Sequence, residues 1–179
     1  MSFYKVDYVR DSFDREPKLV TNPKFIIDLM RLPTTELDIR TARTANDPKV
    51  KENAKKRLPA IVWGGHFRGG VRRDSEVESS GLFCQDIDHI AKDTDGVRQY
   101  YARHFRGRED ELGIVFAHVS PGGDGLHVVT LCQTDCETIA ENQAWLAEAT
   151  QSEYDKVCHN IGRIYYLAAY GDILYNDLF

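Results

Sequence analysis

Apolar residues along the chain fall into short runs of strand length, separated by stretches at helical spacing. Ala60-Ile61-Val62-Trp63 reads as a strand broken by Gly64-Gly65. Gly81 to Asp88 is the next strand, Ile114 to Val119 and Leu126 to Cys132 are two more, and Ile164 to Tyr170 is a last one. That last run is apolar on both faces, which predicts a central position in a sheet. Helices are predicted where the period changes. Asn22-Pro23 opens one through Phe25, Ile26, Leu29 and Met30 that stops before Pro33. Asp47-Pro48 has the cap-then-proline pattern and starts a second over 48–57. Val97 to Phe105 is a third, Thr134 begins a fourth that carries Ile139 and Leu146, and 153–161 is a fifth. Residues 1–20 alternate polar and aromatic groups and form a strand or an arm. Strands and helices mix without strict βαβ alternation, so the fold class is α+β with a mainly antiparallel sheet.

Three of these elements carry chemistry. The strand Phe83-Cys84-Gln85-Asp86-Ile87-Asp88 ends in two aspartates at i and i+2, which share a face of a strand. Two carboxylates about 6–7 Å apart repel unless a cation or proton sits between them. Ser120-Pro121-Gly122-Gly123-Asp124-Gly125 then joins two strands as a hairpin, and His127 opens the second of them. Glycines at such a turn let backbone amides approach phosphate oxygens. A third acid, Asp172, follows the last apolar run.

Composition narrows the setting. The 179 residues, 42% of them apolar, suit one domain, divided into an N-terminal portion over 1–50 and a motif-bearing core over 51–179. The longest apolar runs are too short for a membrane span, the start lacks the apolar core of a secretory signal, and four cysteines lack disulfide-framework spacing. The expectation is a cytoplasmic protein. Net charge is −5, yet Lys55, Lys56, Arg57, Arg68, Arg72 and Arg73 lie in a stretch free of acids from Asn53 to Arg73. Such a stretch suits a phosphate backbone, or else a solvated helix end. Cys132, Cys136, Cys158 and His159 are soft ligands, but adjacent Cys158 and His159 project differently, so zinc is not expected.

The order Asp86/Asp88, Ser120/His127, Asp172 resembles the primase-polymerase branch of the archaeo-eukaryotic primase superfamily. Lys55-Lys56-Arg57-Leu58-Pro59-Ala60 with Gly64-Gly65-His66-Phe67 is similar to a stretch marking a small bacterial subgroup of mobile-element, phage and CRISPR-associated proteins. The resemblance covers residues 50–176. It departs at Gly171, where a bulky hydrophobic is usual, and keeps histidine at 127 where many relatives in the subgroup have lysine.

The resemblance implies an RNA-recognition-motif-like catalytic sheet with an extra N-terminal α/β unit. It implies Mg2+ or Mn2+ at Asp86, Asp88 and Asp172, converging on one cleft, for DNA primase or polymerase chemistry. The incoming nucleoside triphosphate falls to Ser120, His127, the amides of Gly123 and Gly125, and Arg163. Lys56, Arg68, Arg72 and Arg73 would track a single-stranded DNA template, and a larger polypeptide or partner would carry accessory or helicase domains. Two rival readings stand beside it. One is a catalytically silent nucleic-acid-binding or docking domain of a replication or mobile-element protein. The other is a sugar-nucleotide transferase, which explains the paired aspartates but not the glycine turn or the basic stretch.

Overall fold

The computed structural model describes residues 4–154 and 159–178. In chain order its elements are β1 (Asp7–Val9), β2 (Lys18–Leu19), α1 (Lys24–Met30), α2 (Pro33–Thr44), α3 (Pro48–Lys56), β3 (Ala60–Val62), β4 (Gly65–Phe67) and β5 (Val77–Ser79). There follow β6 (Leu82–Ile87), α4 (Thr94–His104), α5 (Glu109–Leu112), β7 (Ile114–Val119), β8 (Leu126–Leu131), α6 (Ile139–Thr150), β9 (Tyr165–Tyr166) and β10 (Ile173–Asn176). The fold is α+β, and every strand pair is antiparallel.

Two four-stranded sheets face each other. The N-terminal sheet runs β2-β1-β3-β9 and the larger one β10-β7-β8-β6. Between them lies a core that joins Val6, Ile26, Ile61 and Trp63 to Leu82, Cys84, Phe116 and Val129. A second core fills the other face of the larger sheet, where Phe83, Ile87, Val119 and Leu126 meet Val97, Tyr101 and Phe105 of the α4 region and Leu146 of α6. The period of two assigns each β6 side chain to one core. Leu82, Cys84 and Asp86 point at the N-terminal sheet; Phe83, Gln85 and Ile87 point at the helices.

The larger sheet is threaded β6-α4-β7-β8-α6-β10, the βαββαβ order of ferredoxin-like units. Its closing strand β10 lies beside β7, which leaves β6 at an edge. That edge is covered rather than open: Gln143 Nε2 (3.1 Å) and the Tyr165 hydroxyl (3.2 Å) both donate to the Cys84 carbonyl.

The structure revises several sequence-based boundaries. Pro33 does not end helical structure but occupies the first turn of α2, a position that needs no N–H. α6 begins at Ile139 instead of Thr134, because Thr138 and Glu141 form a reciprocal capping box. The 153–161 helix falls partly on 155–158, outside the described residues, and the described residues on either side are not helical. The apolar run 164–170 yields only two strand residues, at the edge of the N-terminal sheet. Its remainder is apolar for packing: Leu167 enters the intersheet core and Ala168 contacts Leu58 and Ile39. Asp172 therefore precedes the final strand instead of following it. No helix among the described residues is long and apolar enough to cross a membrane.

Candidate functional site

Strand register builds the site. Asp86 pairs with His127, and His127 pairs in turn with His118. His118 pairs with Ile173, so one row crosses all four strands of the larger sheet. The row lies at the end of the intersheet core, where the apolar stripe Leu82-Cys84 gives way to Asp86.

His127 Nε2 stands 3.3 Å from Asp86 Oδ1, and an Arg163 guanidinium nitrogen is 3.8 Å from Oδ2. Burial on its own would raise the Asp86 carboxyl. The close approach of His127, whose hydrogen bond to Oδ1 is poorly aligned, then Arg163 and His118, outweigh it and hold the group below its ordinary range. Tyr165 sets its ring edge-on to His127 with centroids 5.7 Å apart. His118 packs edge-on against His127 at 4.9 Å and donates from Nδ1 to the Val119 carbonyl at 2.9 Å. Burial, then the His127 charge, push the His118 pKa down to about 3, so this ring is neutral.

Three buried polar atoms in this row have no aligned hydrogen-bond partner: Asp86 Oδ1, His127 Nδ1 and His118 Nε2. Unsatisfied groups are rare in folded interiors, and a cluster of them on one face marks a place shaped for something polar. Asp88 lies just past the end of β6 and is exposed. Partial desolvation, then the neighbouring Asp86 charge, raise its pKa. The second of these causes is the mutual repulsion of neighbouring carboxylates. His89 takes a left-handed backbone (φ 55°), and its Nδ1 sits 2.7 Å from Asp124 Oδ2, which ties the end of the Asp-x-Asp strand to the glycine turn.

The turn backs directly onto that strand end. A Cβ on Gly125 would sit 2.7 Å from the Ile87 carbonyl and 3.0 Å from Ser120 Oγ, so only glycine fits. Ser120 is buried beside it, and its N–H donates to the Gly125 carbonyl at 2.8 Å. Gly123, at φ 84°, gives its amide to the Ser120 carbonyl at 2.9 Å. That amide closes the turn and is not presented outward, contrary to the phosphate role expected of it.

Asp172 lies at the other end of the row. Its neighbour Ile173 is three strand spacings from Asp86, about 14 Å along the sheet. The Asp172 carboxylate is engaged bidentately by Arg43 (3.1 and 3.0 Å) and also accepts the Ala169 N–H. Arg43 reaches on to the carbonyls of Ser120 (3.1 Å) and Pro121 (3.3 Å), linking α2 to the turn. The structure thus brings Asp86, Asp88, His127, Arg163, Ser120 and Gly125 together, and Asp172 meets this group through Arg43 and the Ser120 carbonyl. Among the described residues no three acidic, histidine or cysteine side chains form a ready-made metal cage. Mg2+ needs none: it keeps several waters and is commonly held by one or two carboxylates plus substrate phosphates, which Asp86 and Asp88 suit.

The expected template contacts are largely engaged elsewhere. Lys56 pairs with Glu52, Arg68 with Glu78, and Arg72 donates to the carbonyls of Ser12 and Asp14. Arg73 is exposed at the start of a 3-10 turn. Lys55 instead meets the turn, its Nζ 3.2 Å from where a Cβ on Gly122 would be. Of the cysteine set, Cys158 lies outside the described residues, and His159 contacts Gln143 at 2.9 Å.

Sequence reasoning missed His118, Arg43 and Lys55 as site residues. His118 was findable: a six-residue turn over 120–125 places 118 opposite 127 in any regular hairpin. Arg43 gave no signal, because its role depends on α2 folding across the turn. The match of the chain to known families brackets the same region. No curated protein and no solved structure matches it. The family model of the BT4734-like, N-terminal domain does match, over residues 53–175, a segment holding each of these site residues except Arg43. The chain belongs to the BT4734-like N-terminal domain family.

Proposed function

We propose that this domain performs metal-dependent, template-directed nucleotidyl transfer in the cytoplasm, as a DNA primase, a DNA polymerase or both. The observation that carries the reading is the in-register pair of Asp86 and His127 with Arg163 beside it, closed off by a glycine turn that fits only against the end of β6. In this reaction a 3′-hydroxyl attacks the α-phosphate of a nucleoside triphosphate and pyrophosphate leaves. Mg2+ or Mn2+ held by Asp86 and Asp88 would supply stabilisation of the attacking and leaving oxygens. His127 and Arg163, already beside a carboxylate, provide the contacts that a triphosphate needs. Ser120 and the turn backbone complete its cradle. Asp172 acts through Arg43, fixing the turn, and does not touch substrate. The resemblance to primase-polymerases agrees with this assignment in motif order.

A silent nucleic-acid-binding module is the second reading. The observation on its side is that Arg43 occupies the Asp172 carboxylate, which leaves two acids instead of three for metal. Incorporation of labelled nucleotides on single-stranded and primed DNA, with Mg2+ or Mn2+, separates the two. The proposal expects template-dependent extension that Asp86→Ala and Asp88→Ala abolish. DNA binding without extension under any metal would move the domain to the silent class.

A further inference from the structure

A second group of basic side chains, outside the 55–73 segment, surrounds the far end of α4. Residues 96–108 contain Arg98, Arg103, His104, Arg106 and Arg108 and no acid. Arg103, His104, Arg106 and Arg108 line an open cavity of about 350 Å³ with Ala149, Thr150 and Gln151 from the end of α6. Arg108 is braced there, donating to the Ala149 carbonyl at 2.9 Å and pairing with Glu111. His104 Nδ1 lies 2.8 Å from the Thr150 carbonyl, which fixes it as the donor and leaves Nε2 for another partner. Tyr100 stacks on the His104 ring with centroids 4.2 Å apart. Arg103 and Arg106 are exposed, and among the described residues neither has a carboxylate within ion-pair distance.

We propose that this cavity is a second phosphodiester-binding site, which takes the backbone of a single nucleic-acid strand beside the pocket that Asp88 lines. Arginine forks match phosphate oxygens bidentately, and aromatic faces beside them suit bases. The position supports that occupant. Gln151 lines the cavity, whereas Glu153 and Tyr154 line a pocket with Ile87 and Asp88. Gln151 and Tyr154 are three residues apart in the chain, so these two lining residues lie within about 10 Å of each other. That is the reach of about three stacked nucleotides at ~3.4 Å each. The proposal rests on the nucleic-acid reading of the domain but not on its catalysis.

The test is a titration of labelled single-stranded oligonucleotide against the full chain and an Arg103→Ala/Arg106→Ala variant, at several salt concentrations. Both residues are exposed and unpaired, so the variant keeps the fold, which circular dichroism checks. The expected result is about tenfold weaker binding and a salt slope reduced by about 1.4, at ~0.7 per phosphate contact. Affinity for labelled nucleoside triphosphate with Mn2+ stays unchanged. An unaltered oligonucleotide affinity, or competition by polyglutamate as effective as competition by unlabelled oligonucleotide, would overturn the site. Failure of the wild-type chain to bind any oligonucleotide would sink the nucleic-acid reading together with it. Loss of extension alone in Asp86→Ala, with oligonucleotide binding retained, supports the separation of the two sites.

Discussion

Asp86 and Asp172 are both buried aspartates at opposite ends of one cross-strand row, yet their surroundings differ in kind. Asp172 has every demand met: two guanidinium nitrogens in a planar fork, a backbone N–H, and an arginine whose remaining contacts tie down the neighbouring turn. Asp86 has the His127 ring and the Arg163 guanidinium nearby at loose distances, and Oδ1 lacks an aligned donor. A satisfied buried ion pair is architecture, whereas an ionised carboxylate with unsatisfied capacity is available for chemistry. By that contrast the row has one satisfied end and one end that the proposed function makes reactive, so that three aspartates that look equivalent in sequence would divide into two roles.

The contrast breaks most visibly at Asp172. Asp172→Ala strands the Arg43 guanidinium in a mostly buried position, and removing one partner of such a pair costs on the order of 3 kcal/mol. For a domain of this size the midpoint of thermal unfolding should fall by about 6–12 °C. Replacing both partners by apolar residues (Arg43→Met with Asp172→Leu) should recover much of the loss. A midpoint that hardly moves in Asp172→Ala would remove the structural role.

The middle of the row gives a pH signature. His118 titrates near 6.5 when unfolded and near 3 when folded, so between those values the unfolded chain binds the extra proton. Stability therefore rises with pH through that window and is lost on acidification, by about 2 kcal/mol on going from pH 6.5 to 5. Asp86, with its depressed carboxyl, adds a further loss only below the ordinary aspartate range. Denaturant titrations from pH 4 to 7 on His118→Phe should show a flattened acid limb. An unchanged limb would mean that the ring is protonated in the fold.

At the reactive end the effect is smallest and has the opposite sign. The raised carboxyl of Asp88 means that its ionised form is disfavoured by folding, so Asp88→Asn should stabilise the metal-free protein slightly at pH 7. Solvent screening keeps the gain below about 1 kcal/mol. A clear loss of stability would assign Asp88 to a hydrogen-bond network.

How much of this was legible in the sequence follows from which interactions are local. Strand β7 was readable to the residue and β6 and β8 to within one, because alternation and turn glycines specify them. The Asp86–His127 partnership follows from those strands once β6 is known to flank β8. The final strand was misplaced because 164–170 is apolar for contacts on two sides, not for a sheet. The division of labour between Asp86 and Asp172 was hidden for a related reason. It depends on β10 settling beside β7 and on Arg43 arriving from α2, and neither leaves a periodic trace. The partners of the basic stretch were hidden for the opposite reason: charge is visible in sequence, but Glu52, Glu78 and the 12–14 carbonyls that meet it are not.

The most direct measurement is calorimetric titration of Mn2+ with a non-hydrolysable nucleoside triphosphate into Asp86→Asn and Asp172→Asn, each checked for folding. Asparagine at 172 retains an oxygen for Arg43, so both proteins should fold. Metal-dependent triphosphate binding should vanish in Asp86→Asn and persist near the wild-type level in Asp172→Asn. Retained binding in Asp86→Asn, or loss in a folded Asp172→Asn, would contradict the assignment of the reactive end of the row to Asp86.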